Sequence, residues 1–165
     1  MKLIAVTETA EDIPDSDTVS RLVDFPRMYV EAKGLIWNHI FQFPGGECES
    51  VVWARYAPTS ADVHRLGCER EATKRQGNPE MRYVGFVSST AGGIRGIMTA
   101  RGHGFTVNHA PREGRHHAEV CYSPASQNGI TDLKKADKGE LRAALRNVFG
   151  ELAQHSCSET EQQQN

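Results

Sequence analysis

From Leu35 to Phe43 the chain changes character at every second residue. Leu35, Trp37, His39, Phe41 and Phe43 fall on one side, with Asn38 and Gln42 among those on the other. A period of two predicts a strand. Met28 to Ala32 predicts a partner strand across a tight turn at Lys33-Gly34. Pro44-Gly45-Gly46 ends the pair, and Ser50 to Ala57, with Val51, Val52, Trp53 and Tyr56, predicts the next strand. Ahead of these, Leu3 to Val6 predicts a short strand, and the polar run Thr7 to Ser20 around Pro14 an exposed acidic loop.

Helical spacing replaces this pattern twice. Pro58 followed by Thr59 or Ser60 signals a helix start, and Asp62 suits the positive end of its dipole. That helix is expected to run to about Gln76, where Gly77 and Asn78-Pro79 stop it, although Gly67 in its middle costs about 1 kcal/mol relative to alanine. Near the C-terminus, Asp137 and Glu140 have capping-box spacing, and Leu141, Leu145, Val148, Phe149 and Leu152 recur along one helical face.

Between the helices, Met81 to Ser88 predicts a strand and Ser88 to Gly93 a turn. Two hairpins follow. Gly102-His103 suits a two-residue turn that pairs Arg101 with Gly104 and Thr99 with Thr106. Pro111 to Gly114 suits a four-residue loop that pairs Ala110 with Arg115, Asn108 with His117 and Thr106 with Glu119. Opposed residues share a face. One face then carries Met98, Ala100, Phe105, Val107, Ala118, Val120 and Tyr122, ending with His109 opposite His116. The other carries Arg95, Ile97, Thr99, Arg101, Thr106, Asn108, Arg115, His117, Glu119 and Cys121.

These elements predict an α+β domain: an antiparallel sheet of about six strands, built from a meander and hairpins and covered by a mid-chain and a C-terminal helix. The length, 165 residues, suits one domain over residues 1–155, with 156–165 a disordered polar tail. A net charge of −2 excludes a basic nucleic-acid coat protein. No apolar run is long enough to cross a bilayer, and the stretch at Leu3–Val6 is too short for a secretion signal. Cys48, Cys68, Cys121 and Cys157 form no C-x-x-C pair and read as reduced thiols, so the expected location is cytoplasmic.

Charge is unevenly spread. The first 25 residues hold six acids against two bases, whereas Ala91 to Ala118 holds four arginines, one acid and four of the seven histidines. Such a positive segment fits a polyanionic ligand, an acidic partner protein, or the chain's own acidic N-terminal loop. His117 and Glu119 supply acid–base groups, and the catalytic roles fall to them. Arg95, Arg101 and Arg115, with Thr106 and Asn108, supply the ligand contacts, since guanidinium groups make charge-assisted hydrogen bonds to phosphate. A helix followed by an antiparallel sheet with such a polar face resembles the general plan of small microbial ribonucleases, which implies a metal-independent cleavage of RNA.

Other chemistries fit less well. His109 with His116, and His117-x-Glu119, have the look of metal ligands, but a third donor, His64, Cys68 or Cys121, must come from elsewhere, so no metal or cofactor is assigned. His117-Ala118-Glu119 lacks the downstream Pro-Cys-x-x-Cys of the zinc deaminases. Ser89 to Gly93 lacks the Gly-Lys-Ser/Thr ending of a P-loop. The expectation is therefore recognition of RNA or a nucleotide on the Arg/His/Glu face, with cleavage as its extension. The rival is a non-enzymatic protein-binding module, an inhibitor or accessory protein, that uses the same face or the acidic N-terminal segment.

Overall fold

The computed structural model describes residues 9–43, 47–123 and 133–157. Six strands form one antiparallel sheet. They are β1 (Thr18–Phe25), β4 (Cys48–Trp53), β5 (Arg82–Thr90), β6 (Gly104–His109), β7 (His117–Ser123) and β8 (Ala153–Gln154), in the order β6-β7-β4-β1-β5-β8. A small hairpin of β2 (Tyr29–Val30) and β3 (Gly34–Leu35) lies outside this sheet. The helices are α1 (Trp37–Ile40), α2 (Ser60–Lys74), α3 (Ala91–Arg95) and α4 (Lys135–Val148). This is the expected α+β class, with a mid-chain and a C-terminal helix against the sheet.

The two long helices sit on opposite faces. Leu141, Leu145 and Phe149 of the α4 region join Val19, Val23, Trp53, Phe105 and Val120 in the larger core. Val63 and Cys68 of α2 join Leu22, Val52, Tyr83 and Phe86 in the smaller one. Helix α2 opens where the sequence signals it, at Thr59, and the pair with Asp62 closes a capping box: Thr59 Oγ1 accepts from Asp62 N, and the Asp62 carboxylate accepts from Thr59 N. Gly67 has a packing reason, because the Tyr83 ring occupies the space where a Cβ would stand. Helix α4 starts a turn earlier than expected. Asp137 occupies its third position and accepts from Lys134 N at 2.9 Å.

Several expectations need correction. Trp37–Ile40 is a helical turn, not part of a Leu35–Phe43 strand; of the expected hairpin, the turn at Lys33-Gly34 and a two-residue strand within Met28–Ala32, β2, survive. Strand β1 occupies the segment assigned partly to an acidic loop, and it is buried at six consecutive positions, Val19 to Asp24. The Ser88–Gly93 turn is the end of β5 followed by α3, which Thr90 caps by accepting from Gly93 N. The four cysteines are not thiols: Cys48 is bonded to Cys121, and Cys68 to Cys157. The first pair sits at directly opposed positions of β4 and β7. The step from reduced thiols to the cytoplasm loses its premise. The expected strand at Leu3–Val6, the Pro44–Gly46 turn and positions 158–165 of the tail lie outside the described residues.

Candidate functional site

The second hairpin keeps its faces but not its register. Asn108 pairs with Glu119 and Thr106 with Cys121, two residues away from the expected partners. Pro111–Glu113 forms a 3₁₀ turn, and Ala110 N donates to His117 O, so the connection is longer than the four residues expected. A slip of two preserves the alternation, because the side-chain period is two. Thr106, Asn108, His117 and Glu119 do share one face of the sheet. Asn108 Nδ2 donates to Thr106 Oγ1 at 3.0 Å, and Glu119 lies opposite Ser50 on β4.

The first hairpin does not form as expected, and Arg95 and Arg101 are scattered with it. Pairing stops at the single bridge Met98↔Gly104, and Thr99 to His103 folds into a closed turn. Arg95 lies in α3, donating to Ile13 O and Val107 O and pairing with Asp15 at 2.8 Å. It clamps the acidic N-terminal segment against β6, one of the uses the charge asymmetry allows. Arg101 pairs with Asp137 at 2.7 Å, at the start of α4. Arg115 lies over the Tyr56 ring. None of the three stands with His117. His109 faces the core, edge-on to Trp53 and opposite Ala118 rather than His116.

What His117 does border is a groove of about 730 Å³ between α2 and strands β1, β4 and β7. Its origin is a break in the sheet. The β1–β4 ladder covers only Val19↔Trp53 and Ser20↔Val52. Beyond it the buried Arg21 side chain stands in for the missing hydrogen bonds. Nε donates to Ile40 O at 2.9 Å, Nη1 to Ser50 O at 3.0 Å, and Nη2 pairs with Glu49 Oε1 at 3.0 Å. Glu49 Oε2 in turn accepts from Gln42 N and Phe43 N.

Three further cations line the same groove: Arg27, and Arg70 and Lys74 from α2. Burial, against the pull of Glu49 and aided by Arg70, lowers the Arg21 pKa from its ordinary value to about 10. Lys74 is lowered from its ordinary value by partial burial first, then by Arg70, with Arg27 and Arg21 adding to the shift and Asp24 opposing it. The acids nearby are largely committed: Glu49 to Arg21 and two backbone amides, and Asp24 to Arg70 at 3.1 Å. Among the described residues no carboxylate is within ion-pair distance of Arg27 or Lys74.

At the other end of the groove stand Ser50, Glu113, His116 and His117. His117 Nδ1 is 3.0 Å from Ala110 O, and a carbonyl only accepts, so this nitrogen carries a proton. In the neutral ring Nε2 then accepts from Ser50 Oγ at 3.0 Å; in the charged ring it faces Glu113 Oε2 at 3.3 Å. The imidazole therefore has a partner in both protonation states, as a proton carrier requires. His116 beside it is lowered from its ordinary value, chiefly by burial and then by His117.

The four groove cations were not singled out in the sequence. Arg21 lies within β1 and Arg27 just after it, while Arg70 and Lys74 sit in a charge-rich helix that reads as solvated. Only the capping-box start of α2 gives its phase, which puts residues 66, 69, 70, 73 and 74 along one side. Comparisons with protein families, with characterised proteins and with solved structures find no match to this chain.

Proposed function

We propose that the chain recognises a phosphate-bearing ligand, RNA or a nucleotide, in the groove between α2 and β4. The observation that carries this reading is the convergence of Arg21, Arg27, Arg70 and Lys74 on one concave surface, with Arg27 and Lys74 still lacking a carboxylate among the described residues. Mutual repulsion of these cations is relieved by a bound anion, and guanidinium groups suit phosphate oxygens. The groove replaces the Arg95/Arg101/Arg115 face, whose arginines are held elsewhere. His117 keeps its proposed acid–base role at the groove's end, with Ser50 and Glu113 as its partners. Glu119, two residues along β7, opposes Ser50 and Asn108 and does not line the groove.

A labelled mixed-sequence RNA oligonucleotide, titrated at low and moderate salt and then run on a gel, tests this. Binding should weaken with salt, and Lys74→Ala and Arg27→Ala should each lower the salt slope by about 1. If the RNA is also cleaved, His117→Ala should abolish cleavage and leave binding in place. Unbound, intact RNA at both salts sinks the reading and turns the search to a protein partner. A cytoplasmic setting requires the groove to survive reduction of both disulfides, so the titration is repeated in a phosphine reductant.

A further inference from the structure

A second cluster lies on α2 away from the groove cations, where the C-terminal segment meets the helix. Cys68 of α2 is bonded to Cys157, which follows β8. One ligand atom from each of Cys68, His155 and Cys157 lies within 4.8 Å of the others. His64, one turn before Cys68, stacks on His155 with ring centroids 4.3 Å apart. Tyr83 and Phe86 flank the cluster, with ring centroids 5.9 and 5.0 Å from that of His64. The backbone is fixed on both sides of the cluster: His155 N donates to Val84 O at 2.9 Å, and Cys68 is in the middle of a capped helix.

We propose that this cluster is a redox-gated metal site that takes zinc, or a metal of similar softness, when its disulfide is open. Two thiolates and two imidazoles are the donor set that tetrahedral zinc prefers. Their spacing, His64-x-x-x-Cys68 on a helix and His155-x-Cys157 on an extended segment, brings the donors in from two directions. A tetrahedral zinc holds its two sulfurs about 3.8 Å apart, so the bond between Cys68 and Cys157 must open before both can bind it. The fourth donor is His64, once its ring turns off the stack with His155.

The exchange balances as follows. A thiol reductant gives two electrons and two protons, so the sulfur–sulfur bond becomes two thiols and the reductant becomes its own disulfide. Zinc then displaces both thiol protons while His155 contributes a lone pair. A disulfide oxidant reverses the step and releases the metal. Either closure ties the C-terminal segment to α2, so the tether persists in oxidising and in reducing surroundings. Among the described residues the other cysteine pair, Cys48 and Cys121, has only the Glu119 carboxylate as a third donor and no imidazole in its cluster, which makes it the internal control.

The test is a titration of phosphine-reduced, desalted protein with Co²⁺ under argon, followed by displacement with Zn²⁺. The expected result is one equivalent of cobalt with a thiolate-to-cobalt absorption band, absent from the oxidised protein. The band should persist in Cys48→Ser/Cys121→Ser, vanish in Cys68→Ser/Cys157→Ser, and require at least about tenfold more metal in His155→Ala. No band in the reduced wild type, or a band that survives Cys68→Ser/Cys157→Ser, overturns the proposal. Circular dichroism runs in parallel. If the reduced, metal-free chain unfolds, one equivalent of zinc must restore a cooperative melt, and failure to do so also overturns it.

Discussion

Replacing Arg21 by methionine removes a charge that is 3% exposed and keeps most of the side chain's apolar length. Glu49, 6% exposed, is left as a buried carboxylate supported by two backbone amides. The carbonyls of Ile40 and Ser50 lose their donors at the same time. Breaking a buried pair by removing one partner costs about 3–5 kcal/mol, because the survivor remains charged and dehydrated. For a chain of this length that is a fall in Tm of roughly 6–20 °C. Arg21→Met/Glu49→Gln should recover part of the loss. The glutamine carbonyl still accepts from Gln42 N and Phe43 N, but no charge is stranded, so a coupling of about 1–3 kcal/mol is expected. Urea midpoints for wild type, both single variants and the double variant, all with disulfides intact, measure the cycle. A cost below about 1 kcal/mol for Arg21→Met, together with strict additivity, would refute the reasoning that this pair closes the gap between β1 and β4.

Three further outcomes follow from the same structure. Gly67→Ala gains about 1 kcal/mol of helix propensity but drives a methyl into the Tyr83 ring, an overpacking of about 1–3 kcal/mol; a net loss is expected in thermal melts, reversed in a Tyr83→Leu background. His116 has a native pKa below its unfolded value of 6.5, so the unfolded chain binds more protons in that window and stability falls as pH drops through 6.5. Urea midpoints at about pH 7.5 and about pH 5 should differ less in His116→Gln than in wild type. Cys48→Ala/Cys121→Ala opens a loop whose ends are 73 residues apart, worth about 4.4 kcal/mol in the chain-entropy account, and a calorimetric Tm that does not move would contradict it.

The two long helices were the most legible part of the fold. Thr59 with Asp62, and Leu141 with Leu145 and Phe149, act through local rules, capping and a 3.6-residue stripe, that need no knowledge of the rest of the chain. Strand β1 was illegible for the opposite reason. It is buried on both faces, so it shows no alternation, and its polar residues are each neutralised by something far away in sequence. Ser20 Oγ meets Ser88 Oγ, Arg21 meets Glu49, and Asp24 meets Arg70. Trp37 to Ile40 failed differently: four residues fit both periods, and the hairpin ahead of them settles which one is used.

The candidate site was half legible, and the division has a physical cause. A strand's face is set by a parity that survives a slip of two, so His117 was correctly placed beside Glu119, Thr106 and Asn108 despite a wrong register. Arg95 and Arg101 depended on a hairpin whose turn collapsed around the buried His103, Arg115 lies in the longer connection ahead of β7, and no parity protects a residue that is not in a strand. The cations that do converge come from β1, the segment after it, and α2, and they meet because the β1–β4 ladder stops after two pairs. That break is a property of the assembled sheet. It opens the groove, buries Arg21 within it and sets α2 along its rim. The residue that repairs the sheet is thus also the deepest cation of the site, which is why its loss should register first as instability, and why Arg27 and Lys74, at the exposed rim, are the positions from which ligand binding can be read separately from folding.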